Sequence, residues 1–423
     1  MKFRFEKRKV LKIIFLSVFI FVKSFSQQVI VLENADEISG STINDEKIRE
    51  LNGNVRLTHG EMKIRCDKAV QYLSRNEIDL RGNVKIIRGK MIINTKEAHY
   101  DGNNKITNCK NGVELFRNRF HVIAEQGIYF SNEDRAEFKG KVEAKDSVSI
   151  INCEELKYFE KDEKAIALKN VRVSNNDKSM VVNSQKLEHY EKNGLSKFSI
   201  KPILVQVDTT EDGVVDTLAV SSEIMDIYDD STQQMIAVGN VLLAKGNLGV
   251  KCKNLNYERA NEKIIFTSEP WLWYENSQIS GDTIIAKLKN RNLEQLEINK
   301  RAFMSTLNDS VNKNRYDQMS GKKIKLNFEN KNLNNISIDG NATSLYYLFD
   351  EGRSKGANKT SGDKISINFL DGKISTIAIK KGVEGIYFPE KMIRANPLEV
   401  NLEGFIIKEG KPTIKKIIFG EKN

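Results

Sequence analysis

The chain is poor in proline, with five among 423 residues, and beyond its first two dozen residues no helical segment is expected from its pattern. Proline lacks the N–H that a β-ladder needs, so its scarcity leaves long ladders unbroken. Histidine is just as rare, at four. His59, His99, His121 and His189 stand at spacings that form no ligand cluster, and no Gly-x-Ser-x-Gly elbow or P-loop occurs. These absences leave nucleophile, phosphate and metal chemistry without a foothold. No catalytic residue, metal or cofactor is expected.

The apolar run Ile13 to Val22 is ten residues, short of the roughly 20 a membrane-spanning helix needs. Lys2, Arg4, Lys7, Arg8, Lys9 and Lys12 precede it and Ser24-Phe25-Ser26 follows it, which is the order of a secretory signal peptide over 1–26. The basic excess lies mostly in that leader: 67 basic and 57 acidic residues become 60 and 56 once it is removed. Charges in the remainder are interspersed, so a clustered nucleic-acid footprint is excluded.

What is present is a repeat. Gly53-Asn54-Val55, Gly82-Asn83-Val84, Asn111-Gly112-Val113, Gly140-Lys141-Val142 and Lys169-Asn170-Val171 put valines 29 residues apart, the mark of stacked units that cannot bury their apolar faces alone. Apolar and polar residues alternate within each unit, the period of a strand. The triplet opens the pairs Val55/Leu57, Val84/Ile86, Val113/Leu115, Val142/Ala144 and Val171/Val173, and longer strands run from Ile64, Ile93, Val122 and Ile151 to Tyr72, Tyr100, Tyr129 and Tyr158. Gly239-Asn240-Val241 and Tyr257 continue the series. Soft boundaries near Lys192 and Tyr274 divide it into 27–191, 192–274 and 275–423, with polar inserts at 208–216, 305–317 and 350–359.

Cys66, Cys153 and Cys252 share one slot of the repeat with Thr95, Ala124, Ser184, Gly281, Gly321 and Gly362, a position for small side chains. Members of a slot lie too far apart for the roughly 7 Å that a disulfide spans. Free, packed thiols are expected, and Cys109 alone has no such explanation. Asp67, Glu125, Glu154, Asp282 and Asp363 stand beside the slot, but Lys96, Lys253 and Lys322 interrupt the row, which reads as a solvated outer face. Turns as short as Ser74 to Asn76 favour antiparallel hairpins over the crossovers of a parallel β-helix. The expected fold is all-β, a repeat-built antiparallel jellyroll or solenoid trough.

The runs Leu51-Asn52-Gly53-Asn54-Val55-Arg56-Leu57, Ile64-Arg65-Cys66-Asp67-Lys68-Ala69-Val70-Gln71-Tyr72 and Arg81-Gly82-Asn83-Val84, with Val29 to Asp36 before them, resemble the organic-solvent-tolerance (OstA-like) family, in its long multi-repeat form from Bacteroidetes-type bacteria. That family includes the periplasmic protein that carries lipopolysaccharide to the outer membrane. The resemblance implies a periplasmic location, associated with outer-membrane assembly, and lipid A acyl chains sheltered in an apolar groove. It also implies pairing through edge strands with other jellyroll components, or head-to-tail with a second copy. The expected groove lining is Val55, Leu57, Ile64, Val84, Ile86, Ile93, Val113, Leu115, Ile151, Val171 and Val173, with Tyr72, Tyr100, Tyr129 and Tyr158 at the rim. Against this stand two alternatives: an exported β-helix adhesin or carbohydrate-active protein, and a scaffold of outer-membrane assembly without lipid cargo. The large outer-membrane barrel of the family's longer members is not expected before Asn423.

Overall fold

A computed structural model describes the chain at residues 29–209, 215–290, 292–308, 315–330, 332–350, 353–395 and 399–420. The leader at 1–26 and residues 210–214, 309–314 and 351–352 of the three inserts lie outside the described residues.

The unit of the fold is a strand bent at its middle. In Glu77–Arg88, as in its neighbours Glu46–His59, Met62–Tyr72 and Met91–Asp101, every second side chain is buried, as the sequence alternation requires. The glycine-asparagine pair interrupts that alternation. Gly82 and Asn83 have φ of 72° and 44°, Gly53 and Asn54 have 70° and 47°, and the pairing register shifts between Asn52 and Val55 and between Arg81 and Val84. Two successive left-handed residues form a corner that turns the strand from one sheet into another. Gly82 is required on two grounds, since a Cβ there would also sit 2.5 Å from the Asp67 carboxylate.

Each chain reversal repeats the bend. Sheet A collects the halves 55–59, 62–66, 84–88 and 91–95, and sheet B collects 46–52, 68–72, 77–81 and 97–101. The sheets join along a row of corners and face each other across the interior. Counted as one hydrogen-bonded system they contain 29 strands among the described residues, with neighbours antiparallel, as Met62–Tyr72 is to both Glu46–His59 and Glu77–Arg88. Antiparallel hairpins around a shared interior remove the parallel β-helix alternative.

The apolar core is one cluster running from Ile30 to Ile367, without a break between the repeat groups. The stack ends at Pro389. Residues 390–395 and 399–420 then run back along the outer face of sheet A as a strap. Helix α1 (Glu390–Ala395) supplies Ile393, which with Val400 and Leu402 covers Phe303, Leu345, Tyr347 and Ala357. Further on, Trp273 Nε1 donates to Lys408 O at 3.3 Å, Lys408 N donates to Gln278 Oε1 at 2.9 Å, and Ile417 of helix α2 (Ile414–Phe419) rests on Ala219 and Ala244. No helix among the described residues is long and apolar enough to cross a membrane.

Candidate functional site

The interior between the sheets is where the repeat brings its own residues together, rung upon rung. Of the expected lining residues, Val55, Leu57, Ile64, Val84, Ile86, Ile93, Val113, Leu115, Ile151 and Val171 are buried there, and Val173 is half-buried against the same core. Ile64 and Ile86 are 0% exposed, so these residues fill the interior with their own packing and do not line an open channel. Pairing explains the small slot. Val55 stands opposite Cys66, Val84 opposite Thr95, Val113 opposite Ala124, Val142 opposite Cys153, Val171 opposite Ser184 and Val241 opposite Cys252, each just inside a corner where the sheets converge. In a later rung a Cβ at Gly281 would meet Ile298 Cγ2 at 2.6 Å, so the slot narrows until only glycine fits.

All four cysteines are buried and unpaired. Burial pushes the Cys109 thiol up to about 12, and the same cause dominates at Cys66, Cys153 and Cys252. Protonated thiols of this kind are poor nucleophiles.

The corners are fastened from outside. Asn54 Nδ2 donates to Asp36 Oδ2 at 2.8 Å, Asn83 Nδ2 to Asp67 Oδ2 at 2.8 Å, Asn111 Nδ2 to Glu97 Oε2 at 3.1 Å, and Asn240 Nδ2 to Glu223 Oε1 at 2.5 Å. Lys141 pairs with Glu125 at 2.9 Å and Arg301 with Asp282 at 2.6 Å. The acidic row is therefore exposed, yet each of these carboxylates clasps a left-handed residue of the next corner, the second of the pair in every case but Asn111, which is the first. Where the row shows Lys96, the neighbouring Glu97 takes the role. The signal was present as a fixed offset between acid and corner, and reading the acids only as a solvated face missed it.

Opposite the corners, the free ends of the two sheets meet at a mouth. The tyrosines stand there. Tyr72 is half-buried and donates to Asp79 Oδ2 at 2.9 Å within its own sheet. Tyr100, Tyr129 and Tyr158 are buried, and their hydroxyls reach across to sheet A. His59 Nδ1 lies 2.6 Å from Tyr100 OH, while Arg88 Nη1 and Arg117 Nη1 donate to Tyr129 OH and Tyr158 OH at 2.5 Å. Each pair is 41 residues apart, so one bridge recurs in three successive rungs. Arg88 also donates to Ser131 O at 3.0 Å and Asp134 Oδ1 at 2.8 Å, and Arg117 pairs with Glu160 at 3.1 Å. Burial holds Tyr158 up at about 12, so its hydroxyl stays protonated. At the first rung, Ile30 N donates to Asn76 Oδ1 at 2.9 Å and Gln71 Nε2 donates to Ile30 O at 2.9 Å. The sequence showed these tyrosines as a ladder but gave no indication of their partners.

The remaining histidines are dispersed: His99 Nδ1 is 2.8 Å from Asp79, His121 Nε2 is 2.9 Å from Glu114, and His189 Nδ1 is 2.9 Å from Ser196 Oγ. Among the described residues no three His, Cys, Asp or Glu side chains gather as metal ligands.

Residues 27–181 match the family described as OstA-like protein. Among solved structures, one similar chain is that of the crystal structure of LptH from Pseudomonas aeruginosa, described as the LptA-homologous periplasmic component of the conserved lipopolysaccharide transport device. That match has 12% identity and a TM-score of 0.26, and covers 34% of this chain and 95% of that one. Comparison with curated proteins gave no match.

Proposed function

We propose that this chain is a lipopolysaccharide transport-type protein of the periplasm, a non-catalytic carrier that shelters lipid A acyl chains between its two sheets. The single observation behind this reading is the unbroken apolar interior, built from the same residues in rung after rung. The OstA-like match over 27–181 supports it.

Physical chemistry gives such an interior its use. Each CH₂ left in water costs about 0.8 kcal/mol, so a lipid with several acyl chains does not cross an aqueous space unaided. Because the interior is already filled, acyl chains enter by taking the place of neighbouring side chains, and the sheets part at the mouth while the corners hold. Apolar side chains that leave one another meet acyl chains instead, so the net cost of opening is modest. Near-identical rungs offer near-equal sites and set no direction, since a ligand shifts a population only through differential affinity. Direction comes from a driven step elsewhere in the system.

The ends supply the partners. The first strand, with Ile38 and Ile43 more than half exposed, pairs on one side only among the described residues, and so does the last, with Ile377, Ile386 and Tyr387. Open edges of this kind suit strand addition by other jellyroll components or by a second copy head-to-tail. The repeat groups 27–191, 192–274 and 275–423 act in this reading as parts of one carrier. A photocrosslinker at Val84 or Ile93, inside, is expected to capture lipopolysaccharide in cells, and one at exposed Lys85 is not. Capture at Lys85 with none at Val84 or Ile93 would count against the interior groove, and capture at none of the three would favour a scaffold without lipid cargo.

A further inference from the structure

We propose that Arg88 and Arg117 form a two-point receptor for the phosphate groups of a lipid headgroup, and that the tyrosine and carboxylate bridges they make at the mouth are the unloaded state of that site. The inference rests on the carrier reading and assigns the polar end of the same ligand.

Position comes first. Both arginines lie at the ends of sheet A strands, at the line where the two sheets must separate, so a ligand with its acyl chains inside leaves its headgroup beside them. One repeat advances two strands, which sets the guanidinium groups roughly 10 Å apart along the mouth, given about 4.8 Å between strands. Side-chain exposures of 30% for Arg88 and 20% for Arg117 leave each half-buried, open to a ligand on one side and poorly hydrated on the other.

Chemistry comes second. A guanidinium presents five donors in a planar fork that fits a phosphate in two-bond geometry. The present partners are a neutral hydroxyl in each case and one carboxylate each, Asp134 and Glu160, with Ser131 O also accepting from Arg88. Opening the mouth breaks these bonds and would leave two cations without partners, which is costly at a half-buried site. A phosphorylated headgroup supplies the replacement anion at the moment the sheets part. An uncharged lipid offers no such exchange.

The pattern along the stack is the third observation. Counting four residues beyond the corner valine gives His59, Arg88 and Arg117 in successive rungs, then Asp146 and Asn175. The arginines thus occupy two adjacent rungs only. Further along the stack lies a polar concavity of about 460 Å³ bordered by Asn175, Asp177, Ser179, Gln206, Asp208 and Arg259.

The test compares binding of bisphosphorylated lipid A and its fully dephosphorylated form by the full exported chain. The expected preference for the phosphorylated lipid is about tenfold or more, the worth of one or two charge-assisted bonds. Arg88→Gln with Arg117→Gln should abolish the preference while binding of the dephosphorylated lipid persists. Tyr129→Phe with Tyr158→Phe, which removes the hydroxyl bridges and keeps the arginines, should retain the preference and tighten binding of both lipids by about threefold or more. An undiminished preference in the arginine variant would overturn the receptor and leave the carrier reading standing. Failure of the native chain to bind either lipid would overturn both. Displacement of lipid A by inorganic phosphate alone would mark a free-anion site and contradict the headgroup assignment.

Discussion

The two halves of this molecule use one interior but are closed in different ways. Around residues 46–160 the sheets are joined at the corners and bridged across the mouth by His59, Arg88 and Arg117, while the outer face of sheet A is solvated. From about residue 215 onward, the strap formed by 390–395 and 399–420 lies over that outer face and fastens successive strands to one another. Bridges at the mouth oppose separation of the two sheets. The strap, lying across strands of one sheet, opposes bending and fraying of that sheet and leaves the sheets free to part. On the carrier reading, the first half is the part that opens to admit acyl chains and the second half is the stiffened part.

The largest expected effect tests the strap. Ending the chain after Pro389 uncovers Phe303, Leu345 and Tyr347 and orphans Gln318, which is 0% exposed, donates to Asn401 Oδ1 at 2.6 Å and accepts Leu402 N–H at 2.8 Å. Hydrogen exchange should show strands 302–307, 316–320 and 342–350 losing several kcal/mol of protection, with strands 62–101 unchanged. Equal loss in both halves would mean that the strap stabilises the whole stack and would dissolve the comparison.

Next come the corners, which both halves need. Gly82→Ala must strain a left-handed residue and displace the Asp67 carboxylate, at a cost of about 2–3 kcal/mol in thermal unfolding. Gly89→Ala, also at positive φ but with open space around its Cβ position, should cost about 1 kcal/mol. The mouth follows: Arg88→Ala should lower stability by about 1–2 kcal/mol and raise the alkylation rate of buried Cys109, read by mass spectrometry, with Cys252 unchanged.

The smallest effect is one of pH beneath the strap. Burial raises Asp317 to about 6, although Tyr347 N–H and Asn308 donate to it; burial also opposes ionisation of Glu390, yet hydrogen bonds from Arg315, Ser354 and Arg394 hold it down at about 2. A carboxyl raised from 3.8 to about 6 favours its neutral form when folded, so its unfavourable contribution is relieved as pH falls through 6 toward 4. A carboxyl lowered from 4.5 to about 2 contributes stability above pH 4.5 and loses it as pH falls toward 2. Protection of 316–320 should therefore rise between pH 7 and 5 and fall below about 4. A profile flat from 7 to 4 would rule out a buried Asp317 carboxylate.

Much of this was legible in the sequence because local rules set it. Alternation gave the buried faces, the 29-residue step gave the stacking, and paired residues of glycine and asparagine type gave the corners, since few others accept positive φ twice in succession. What stayed hidden depended on contacts between distant residues. The pairing of Arg88 with Tyr129 follows from how sheet A lies over sheet B, and strand periodicity says nothing about that. The strap has no repeat to announce it; its two helices are six residues each, too short for helical periodicity to show. The filled interior was hidden for a different reason: residues that pack a core and residues that line a groove have the same composition.

The measurement closest to the central claim is the width of the mouth. Spin labels on the exposed turns at Arg119 and Lys161, beside the Arg117–Glu160 pair, report the separation of the two sheet edges. On saturation with lipopolysaccharide the distance should grow by at least about 4 Å, the contact separation of carbon atoms, because acyl chains must displace packed side chains. Stoichiometric binding with an unchanged distance would mean that lipid sits outside the interior, and would contradict the account.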